Sequence, residues 1–158
     1  MINSVCVCGA GTMGSGIAQA AAAAGIYTIL FDVNNTVLEK AKTGIEKNLQ
    51  SLMEKNKIAK EEKDNITQRI LFTNDLHQCL AEVIVEAIIE KPEAKIALFN
   101  QLAEINHAET VFATNTSSLL VTEIADDVLH PQRVIGMHFF NPATIMKLVE
   151  VVNTKYTN

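Results

Sequence analysis

The feature that most constrains this chain is a glycine-rich turn that joins an apolar, strand-like segment to an alanine-rich helix. Residues 2–8 are apolar and β-prone, the turn Gly9–Gly14 has the pattern GxGxxG, and a helix is predicted over Thr12–Ala24. A second strand is predicted over Tyr27–Phe31, and Asp32 follows it directly. A strand, glycine turn, helix and second strand with an acidic end are typical of a βαβ dinucleotide-binding unit.

Each glycine of the turn has a physical role in such a unit. Gly9 lets the chain turn sharply off the strand, Gly11 leaves room for a pyrophosphate beside the backbone, and Gly14 allows close packing of helix on strand. Free N–H groups at the start of the helix, where Thr12 and Met13 stand, are suited to binding the phosphates. These five residues are therefore candidate cofactor-binding residues.

Asp32 predicts which dinucleotide binds. Its carboxylate can accept hydrogen bonds from the hydroxyls of an adenosine ribose, and it would repel a 2′-phosphate. The residues that follow are Val33, Asn34 and Asn35, so no arginine is present there to hold such a phosphate. We therefore expect NAD(H) as the cofactor rather than NADP(H).

The bulk composition limits the class of protein. The chain has 158 residues, 48% of them hydrophobic and 20% charged, which suits one domain spanning residues 1–158. The formal net charge of −5 argues against a nucleic-acid-binding surface. The first strand is predicted to begin at the second residue, which leaves no room for a targeting peptide, and no apolar run reaches the ~20 residues of a membrane span. We expect a cytoplasmic protein with neither nucleic-acid nor membrane partners.

The three cysteines allow two interpretations. Cys6 and Cys8 alternate on the first predicted strand and share one face, which is compatible with a redox or metal pair. Because a parallel strand is buried on both faces, two small buried hydrophobic side chains are the favoured interpretation, and no metal site is predicted. Cys79 has no obvious partner in the sequence. Reduced cysteines fit a cytoplasmic protein.

Strands and helices alternate along the rest of the chain, which predicts an α/β, Rossmann-type, doubly wound and mostly parallel sheet. An apolar stripe predicts a long helix from about residue 35 to Lys55, and residues 58–68 are predicted to form a shorter one. This pair is predicted to be a projecting helical hairpin over about residues 35–68. The other predicted elements are strands at 70–73, 83–87, 111–114, 134–137 and 147–152, a helix that begins at Pro92, and a short helix at 120–125.

Three polar clusters follow predicted strands, at residues 86–90, 114–118 and 138–142. Ligands of such sheets bind beyond the carboxyl ends of the strands. Polar residues in these places are often turn formers only. Three clusters at one edge, beside a nucleotide site, favour an active site instead.

His138 is the best single candidate for a catalytic residue in these clusters. An imidazole exchanges protons near neutral pH, whereas His77, His107 and His130 lie in helical or loop contexts that indicate structural roles. Glu150 is a lone charge in the apolar last strand. If residues 142–146 form a turn, that strand returns beside the previous one, and the Glu150 carboxylate can meet and orient the imidazole.

Four motifs together carry a resemblance to a known family. They are GAGTMGSG at Gly9–Gly16, TNTSSL at Thr114–Leu119, GMHFFNP at Gly136–Pro142 and MKLVEV at Met146–Val151. In this order they resemble the L-3-hydroxyacyl-CoA dehydrogenase family, in particular its short bacterial 3-hydroxybutyryl-CoA type. The resemblance covers essentially the whole chain.

The resemblance implies an oxidoreductase that interconverts (S)-3-hydroxyacyl-CoA and 3-oxoacyl-CoA with NAD, such as 3-hydroxybutyryl-CoA and acetoacetyl-CoA. By position, His138 matches the general base or acid, Glu150 its orienting acid, and Ser117 the residue that binds the substrate oxygen. The other matches are cofactor contacts at Ala87, Glu90, Lys95 and Asn115, and substrate contacts at Asn141, Asn48 and Lys55, of which Lys55 would meet the CoA phosphates.

The family continues into a second, all-helical domain that carries dimer contacts and one wall of the acyl-CoA site. The resemblance therefore implies that residues 1–158 are the NAD-binding domain, that the C-terminal helical domain is absent, and that the full-length parent is a homodimer through that domain. We expect no turnover by residues 1–158 alone, because part of the acyl-CoA site lies in that domain.

Two other functions remain open at this point. One is an NAD-dependent dehydrogenase of a small free hydroxy acid, for which Lys55 would have no CoA phosphate to contact. The other is a non-catalytic NAD-binding module of the same fold, since a fold does not fix a function. The complete set of His138, Glu150 and Ser117 argues against the second.

Overall fold

The strands form a single sheet that is parallel except at one edge. The computed structural model describes residues 1–157, and its seven strands lie in the order β3-β2-β1-β4-β5-β6-β7. In chain order they are β1 (Ser4–Cys8), β2 (Tyr27–Phe31), β3 (Ile70–Thr73), β4 (Val83–Glu86), β5 (Val111–Thr114), β6 (Val134–Phe139) and β7 (Val149–Val152). Only β7 runs antiparallel, beside β6. The predicted doubly wound, mostly parallel α/β fold is confirmed.

Five helices connect or flank the strands. They are α1 (Thr12–Ala23), α2 (Asn35–Glu54), α3 (Lys60–Gln68), α4 (Pro92–Ile105) and α5 (Val121–Asp126). Local chemistry sets several of their ends: the Asn34 side chain accepts from the Thr36 N–H at the start of α2, and Pro92 occupies the first turn of α4. After α1, Gly25 has a φ of +90°, and the N–H of Ile26 bonds back to Ala21, a Schellman ending.

Both faces of the sheet are covered, as expected for parallel strands that bury alternate side chains on opposite sides. On one face, α1, α2 and α3 pack with Val7, Leu30 and Val85. On the other, α4 and α5 pack with Cys6, Ile84 and Phe112. The two helices predicted over about residues 35–68 are thus part of the first layer, where both contact α1.

The order of the strands places the first turn at the centre of the sheet. β1 lies between β2 and β4, so the chain winds to one side from β1 to β3 and to the other from β4 to β6. A crevice opens at such a switch point beyond the carboxyl ends of the strands. The turn after β1, Asp32 after β2, and the segments that follow β4 and β5 meet there.

One predicted boundary is wrong where it bears on the site. The strand predicted over residues 134–137 extends to Phe139, so His138 lies within β6 rather than after it. Pairing with β7 extends this strand, since Met137, His138 and Phe139 pair with Val151, Glu150 and Val149. Among residues 1–157, no helix is long and apolar enough to cross a membrane.

Candidate active site

The glycine turn is packed so that two of its glycines have no room for a side chain. Gly9 has a φ of +100°, and a Cβ there would stand 2.6 Å from the carbonyl oxygen of Ala87. A Cβ on Gly14 would lie 1.7 Å from the carbonyl oxygen of Gly9. Gly11 differs, because nothing lies within 4 Å of its Cβ position. The space at Gly11 opens on the first N–H groups of α1, as a pyrophosphate site requires.

Asp32 ties this turn to the end of β2. Its carboxylate accepts hydrogen bonds from the backbone N–H of Ala10 at 2.8 Å and of Asn34 at 2.9 Å. A carboxylate has about four acceptor sites, so both oxygens keep capacity for ribose hydroxyls. Asp32 lines a cavity of about 420 Å³, called here the Asp32 cavity, together with Gly11 and the exposed apolar side chains of Val33 and Ile89.

A second cavity adjoins the first. It has a volume of about 390 Å³ and is called the His138 cavity. Its lining residues are Met13, Ala87, Ile88, Glu90, Lys95, Asn115, Ser117, His138, Phe139, Phe140 and Asn141. Ala87 and Ile88 line both cavities, so a ligand can extend from Asp32, past the glycine turn, to His138.

His138 and Glu150 form a close pair at the edge of the sheet. The register of β6 and β7 sets them directly opposite each other, and Nδ1 of His138 lies 2.9 Å from Oε2 of Glu150. The predicted contact is therefore present. The His138 side chain is 25% exposed and that of Glu150 is 54% exposed, so the imidazole is held at the cavity wall while the carboxylate remains in contact with solvent.

The segment after β5 is fixed to both neighbouring strands. The Asn115 N–H donates to the carbonyl of Glu86 at 2.8 Å, and its side-chain oxygen accepts from the N–H of Phe139 at 2.8 Å. Ser117 is exposed and lies on the wall of the His138 cavity. Asn115 thus couples the end of β4 to the strand that carries His138.

A buried network of charges lies behind the same wall. Glu86 is fully buried and accepts hydrogen bonds from Lys95 Nζ at 2.6 Å, from the N–H of Ile88 at 2.7 Å and from the Thr114 hydroxyl at 2.7 Å. Lys95 is 1% exposed and also lies 3.0 Å from Glu90, whose side chain is 40% exposed. Glu86, Lys95 and Glu90 are called the charge triad below.

Glu90 is held by hydroxyls as well as by Lys95. Both Thr116 and Ser118 donate to its carboxylate. Partial burial would raise the pKa of Glu90, but the hydrogen bond from Thr116 and the pair with Lys95 outweigh it, so the pKa lies below its usual value. Nζ of Lys95 donates to two carboxylates and has a third hydrogen, so Lys95 holds Glu90 at the wall of the His138 cavity, and its predicted contact with the cofactor stays a prediction.

A third cavity lies between α1, α2 and the loop after β6. Its volume is about 310 Å³, and Thr12, Lys40, Asn48 and Asn141 are among its lining residues. Asn141 also lines the His138 cavity, so these two spaces are neighbours. The Asn48 amide donates to Gln19 at 3.0 Å, whereas Lys55 is exposed at the end of α2 and lines none of these three cavities.

Glu86, Thr114 and Thr116 belong to the polar clusters at 86–90 and 114–118, but the sequence pattern assigns none of the three an individual role. An acidic residue that closes an apolar strand was a usable signal for Glu86, since a buried carboxylate requires partners. The threonines gave no comparable signal, because they are polar residues in a turn. Their hydroxyls reach the charge triad only because β4 and β5 are neighbours in the sheet.

The expectation that Cys79 has no partner is wrong. The sulfur atoms of Cys6, Cys8 and Cys79 all lie within 4.8 Å of one another, and all three residues are buried. Their surroundings are apolar, with Ile84, Leu98 and Phe99 in the same cluster. The hydrogen bond to Cys79, with burial, raises the pKa of the Cys6 thiol well above its usual range. An apolar setting of this kind suits thiols that act as small core side chains.

A glycine turn at the switch point, an acidic residue after β2 and a histidine–carboxylate pair at the far end of the groove define a dehydrogenase-type dinucleotide-binding domain. The sequence model of the family described as "3-hydroxyacyl-CoA dehydrogenase, NAD binding domain" matches residues 4–158, and the chain belongs to this family. The predicted family and its NAD cofactor are thereby confirmed. The open space at Gly11 and the free acceptor sites of Asp32 fit that cofactor.

Several relatives are similar over nearly the whole chain. A probable 3-hydroxybutyryl-CoA dehydrogenase of Bacillus subtilis is 45% identical over 96% of this chain and 53% of its own length. A 3-hydroxyadipyl-CoA dehydrogenase of Escherichia coli is 42% identical over 96% of this chain and 32% of its own length. A crystal structure of 3-hydroxybutyryl-CoA dehydrogenase from Escherichia coli K12 superposes with a TM-score of 0.97 at 42% identity, covering 100% of this chain and 34% of that one. The chain thus spans about half or less of the length of these relatives.

Proposed function

We propose that this chain is the cofactor-binding and catalytic part of an NAD-dependent dehydrogenase that interconverts (S)-3-hydroxyacyl-CoA and 3-oxoacyl-CoA. The observation that carries the proposal is the His138–Glu150 pair at one end of a groove whose other end is Asp32. The names of the relatives support the acyl-CoA substrate.

NAD, when bound along this groove, accepts or supplies the hydride at its nicotinamide ring. The chain's own residues place it. Asp32 accepts hydrogen bonds from the hydroxyls of the adenosine ribose, and the start of α1 beside Gly11 binds the pyrophosphate. Ala87 and Asn115 lie farther along the groove and bind the nicotinamide half. That half then faces His138.

His138 is the proton-transfer residue in this proposal. Glu150 engages Nδ1 at 2.9 Å, which leaves Nε2 for the substrate hydroxyl. In the oxidative direction, Nε2 would remove the proton from the C3 hydroxyl of the substrate as the hydride passes from C3 to NAD. The Glu150 carboxylate fixes the tautomer and stabilises the imidazolium that forms. General base catalysis of this kind contributes about 10²–10⁴-fold to the rate.

Ser117 and Asn141 hold the reacting end of the substrate. The Ser117 hydroxyl donates to the substrate oxygen, on which charge develops during hydride transfer. Asn141 stands where the His138 cavity meets the cavity lined by Asn48, which gives the acyl-CoA a path toward α2. In this arrangement Asn48 contacts the CoA chain and Lys55, at the end of α2, attracts its phosphates from solvent. A second, helical domain that completes this site and forms a homodimer belongs to the same proposal.

The proposal covers 3-hydroxyacyl-CoA substrates of more than one acyl length. Two relatives are named for substrates of different size, hydroxybutyryl-CoA and hydroxyadipyl-CoA. Residues 1–157 bring Phe139 and Phe140 to the His138 cavity, and their rings suit an apolar acyl group close to the reacting carbon.

The test is the loss of NADH absorbance with acetoacetyl-CoA, measured on the full-length parent because the helical domain completes the acyl-CoA site in this proposal. We expect NADH consumption by the wild type and at least about 100-fold slower consumption by His138→Gln. His130→Gln is the matched control and should behave as the wild type. Equal rates for wild type and His138→Gln would refute the assignment of the base.

The alternative function, a dehydrogenase of a free hydroxy acid, differs from the proposed one in that its substrate carries no CoA. Acetoacetate replaces acetoacetyl-CoA in the same assay, and we expect no consumption of NADH. A Lys55→Glu variant should weaken the apparent affinity for acetoacetyl-CoA by about tenfold, the effect of reversing one charge near a phosphate group. Unchanged affinity would remove Lys55 from the CoA site.

A further inference from the structure

We propose that the charge triad of Glu86, Lys95 and Glu90 raises the affinity of this site for NAD⁺ relative to NADH. The inference rests on the proposed position of the nicotinamide in the His138 cavity. It gives the charge triad a part in cofactor discrimination that is separate from proton transfer.

The argument begins with the charge difference between the two cofactor forms. NAD⁺ and NADH differ by one hydride, so the nicotinamide ring is cationic in one form and neutral in the other. The adenosine and pyrophosphate parts are the same in both. Any discrimination by charge must therefore come from protein groups near the ring, and groups near Asp32 contribute equally to both forms.

The charge triad has the negative charge and the position needed to attract a cationic nicotinamide ring in the His138 cavity. Two carboxylates and one ammonium leave a formal net charge of −1, with Lys95 bonded to Glu86 at 2.6 Å and to Glu90 at 3.0 Å. Glu90 and Lys95 lie on the wall of the His138 cavity, and Glu86 lies behind them with no exposure to solvent. Glu86 and Lys95 are shielded from water and neutralise each other, whereas Glu90, which is 40% exposed, presents the excess negative charge to the cavity with partial screening by solvent.

The hydrogen bonds keep that charge in place. Glu86 accepts from Thr114 and from the N–H of Ile88, and Glu90 accepts from Thr116. The hydrogen bond from Thr116 lowers the pKa of Glu90, and the bond from Thr114 to Glu86 fixes the end of β4 to the segment after β5. The charge is thus preorganised before any cofactor binds, so little reorganisation is needed when the cationic ring arrives.

Glu150 is the other carboxylate near this cavity, and its charge has the same sign. It is bonded to His138 and is 54% exposed, so solvent screens it more than the buried part of the charge triad. Because Glu150 acts on the proposed base, it is not used in the test. Glu90 is not part of the proton-transfer step, so its charge can be removed without changing the histidine pair.

The expected effect is a change in the ratio of two dissociation constants. A unit charge in contact with the ring changes a dissociation constant about fivefold even at the dielectric constant of bulk water, and we expect a change of that size here. The ratio of the Kd for NADH to the Kd for NAD⁺ should therefore fall about fivefold in Glu90→Gln. Glu86→Gln removes one negative charge from the buried position and should also lower this ratio.

The experiment measures both dissociation constants on this chain, NADH by its fluorescence and NAD⁺ by competition against NADH. Glu93→Gln is the matched control: it removes an exposed carboxylate from the first turn of α4, outside the charge triad, and should leave the ratio unchanged. Added salt should weaken the effect of Glu90→Gln, since the Debye length falls to about 3 Å at 1 M.

Three results would overturn the inference. In the first, both constants rise equally in Glu90→Gln and Glu86→Gln, which is the signature of a purely structural role. In the second, Glu93→Gln lowers the ratio as much as Glu90→Gln does. In the third, the wild type binds neither cofactor form, which also overturns the proposed function. If NADH binds but the full-length parent does not reduce acetoacetyl-CoA, the proposed reaction fails, while the ratio of the two dissociation constants still tests the present inference.

Discussion

Replacing Gly14 with alanine should lower the stability of the fold because of one steric clash. The new Cβ would lie 1.7 Å from the carbonyl oxygen of Gly9, and contacts under 3.0 Å are essentially never observed. The two groups must therefore separate by more than about 1.3 Å. Because Gly9 O is a backbone atom, no rotamer change can relieve the clash, and α1 must move away from β1. Overpacking of this kind costs about 1–3 kcal/mol, and we expect the upper part of that range.

Two other glycines provide matched controls for the same substitution. Gly11 and Gly44 both have no heavy atom within 4 Å of the Cβ position. Gly11→Ala should change the free energy of unfolding by less than about 1 kcal/mol but raise the Kd for NADH by about tenfold or more, because the methyl group occupies the pyrophosphate site. Gly44→Ala, in the exposed part of α2, should stabilise the chain by about 0.5–1 kcal/mol and leave NADH binding unchanged.

The assays follow from the composition of the chain. It contains no tryptophan, so unfolding in urea and on heating is followed by far-UV circular dichroism, and binding by NADH fluorescence. A loss of about 3 kcal/mol corresponds to a fall in Tm of about 6–12 °C for a domain of this size. Gly14→Ala with wild-type stability would refute the packing argument. Equal loss of NADH binding in Gly11→Ala and Gly44→Ala would refute the assignment of the pyrophosphate site.

Three further predictions concern charge. Glu86→Ala leaves Lys95 buried with one carboxylate partner fewer, so it should lower the free energy of unfolding in urea by about 3 kcal/mol or more. Glu86→Gln keeps a polar partner for Lys95 and should lower the free energy of unfolding by less. Equal losses in the two variants would contradict this role of Glu86. Because the pKa of Glu90 is lowered by folding, its stabilising effect is present above its unfolded value of ~4.3 and is lost as pH falls through the folded value. The difference in Tm between wild type and Glu90→Gln should thus shrink between about pH 6 and about pH 3, and a constant difference would count against it. NADH should bind at least about tenfold more tightly than NADPH, and Asp32→Ala should narrow this gap; similar affinities in the wild type would exclude the proposed role of Asp32.

Most of the fold could be predicted because its signals are local. The glycine turn and Asp32 define β1, α1 and β2 without knowledge of the rest of the chain. Helix α2 begins and ends near the predicted residues because its apolar stripe is regular and because Asn34 caps it. Periodicity and end signals of this kind are properties of single segments.

The end of β6 could not be found in this way. Residues 138 and 139 continue the strand because they pair with β7, in a ladder that joins residues 10 to 16 positions apart across the intervening loop. The polar and aromatic residues after Met137 are equally compatible with a turn and with a loop that carries active-site residues. Strand ends that depend on a partner strand are set by pairing rather than by propensity.

The parts of the site that were missed are built by contacts across the sheet. Lys95 reaches Glu86 from the first turn of α4, and the Thr114 hydroxyl reaches it from the neighbouring strand. In the same way Cys79 joins Cys6 through the packing of the loop before β4. Each of these side chains is ordinary in its own segment. These side chains come together because of the order of the strands in the sheet. The sequence pattern predicts the strands but not which residues of neighbouring strands are in contact.

The central claim is that the nicotinamide of the bound cofactor lies beside His138. The chain has four histidines, so the imidazole proton signals can be followed by nuclear magnetic resonance during titration with NADH, and the His138 signal is identified by its loss in His138→Gln. We predict that NADH shifts the His138 signal and leaves those of His77, His107 and His130 in place. If NADH binds and the His138 signal does not move, the cofactor does not reach the histidine pair and the proposed function is contradicted.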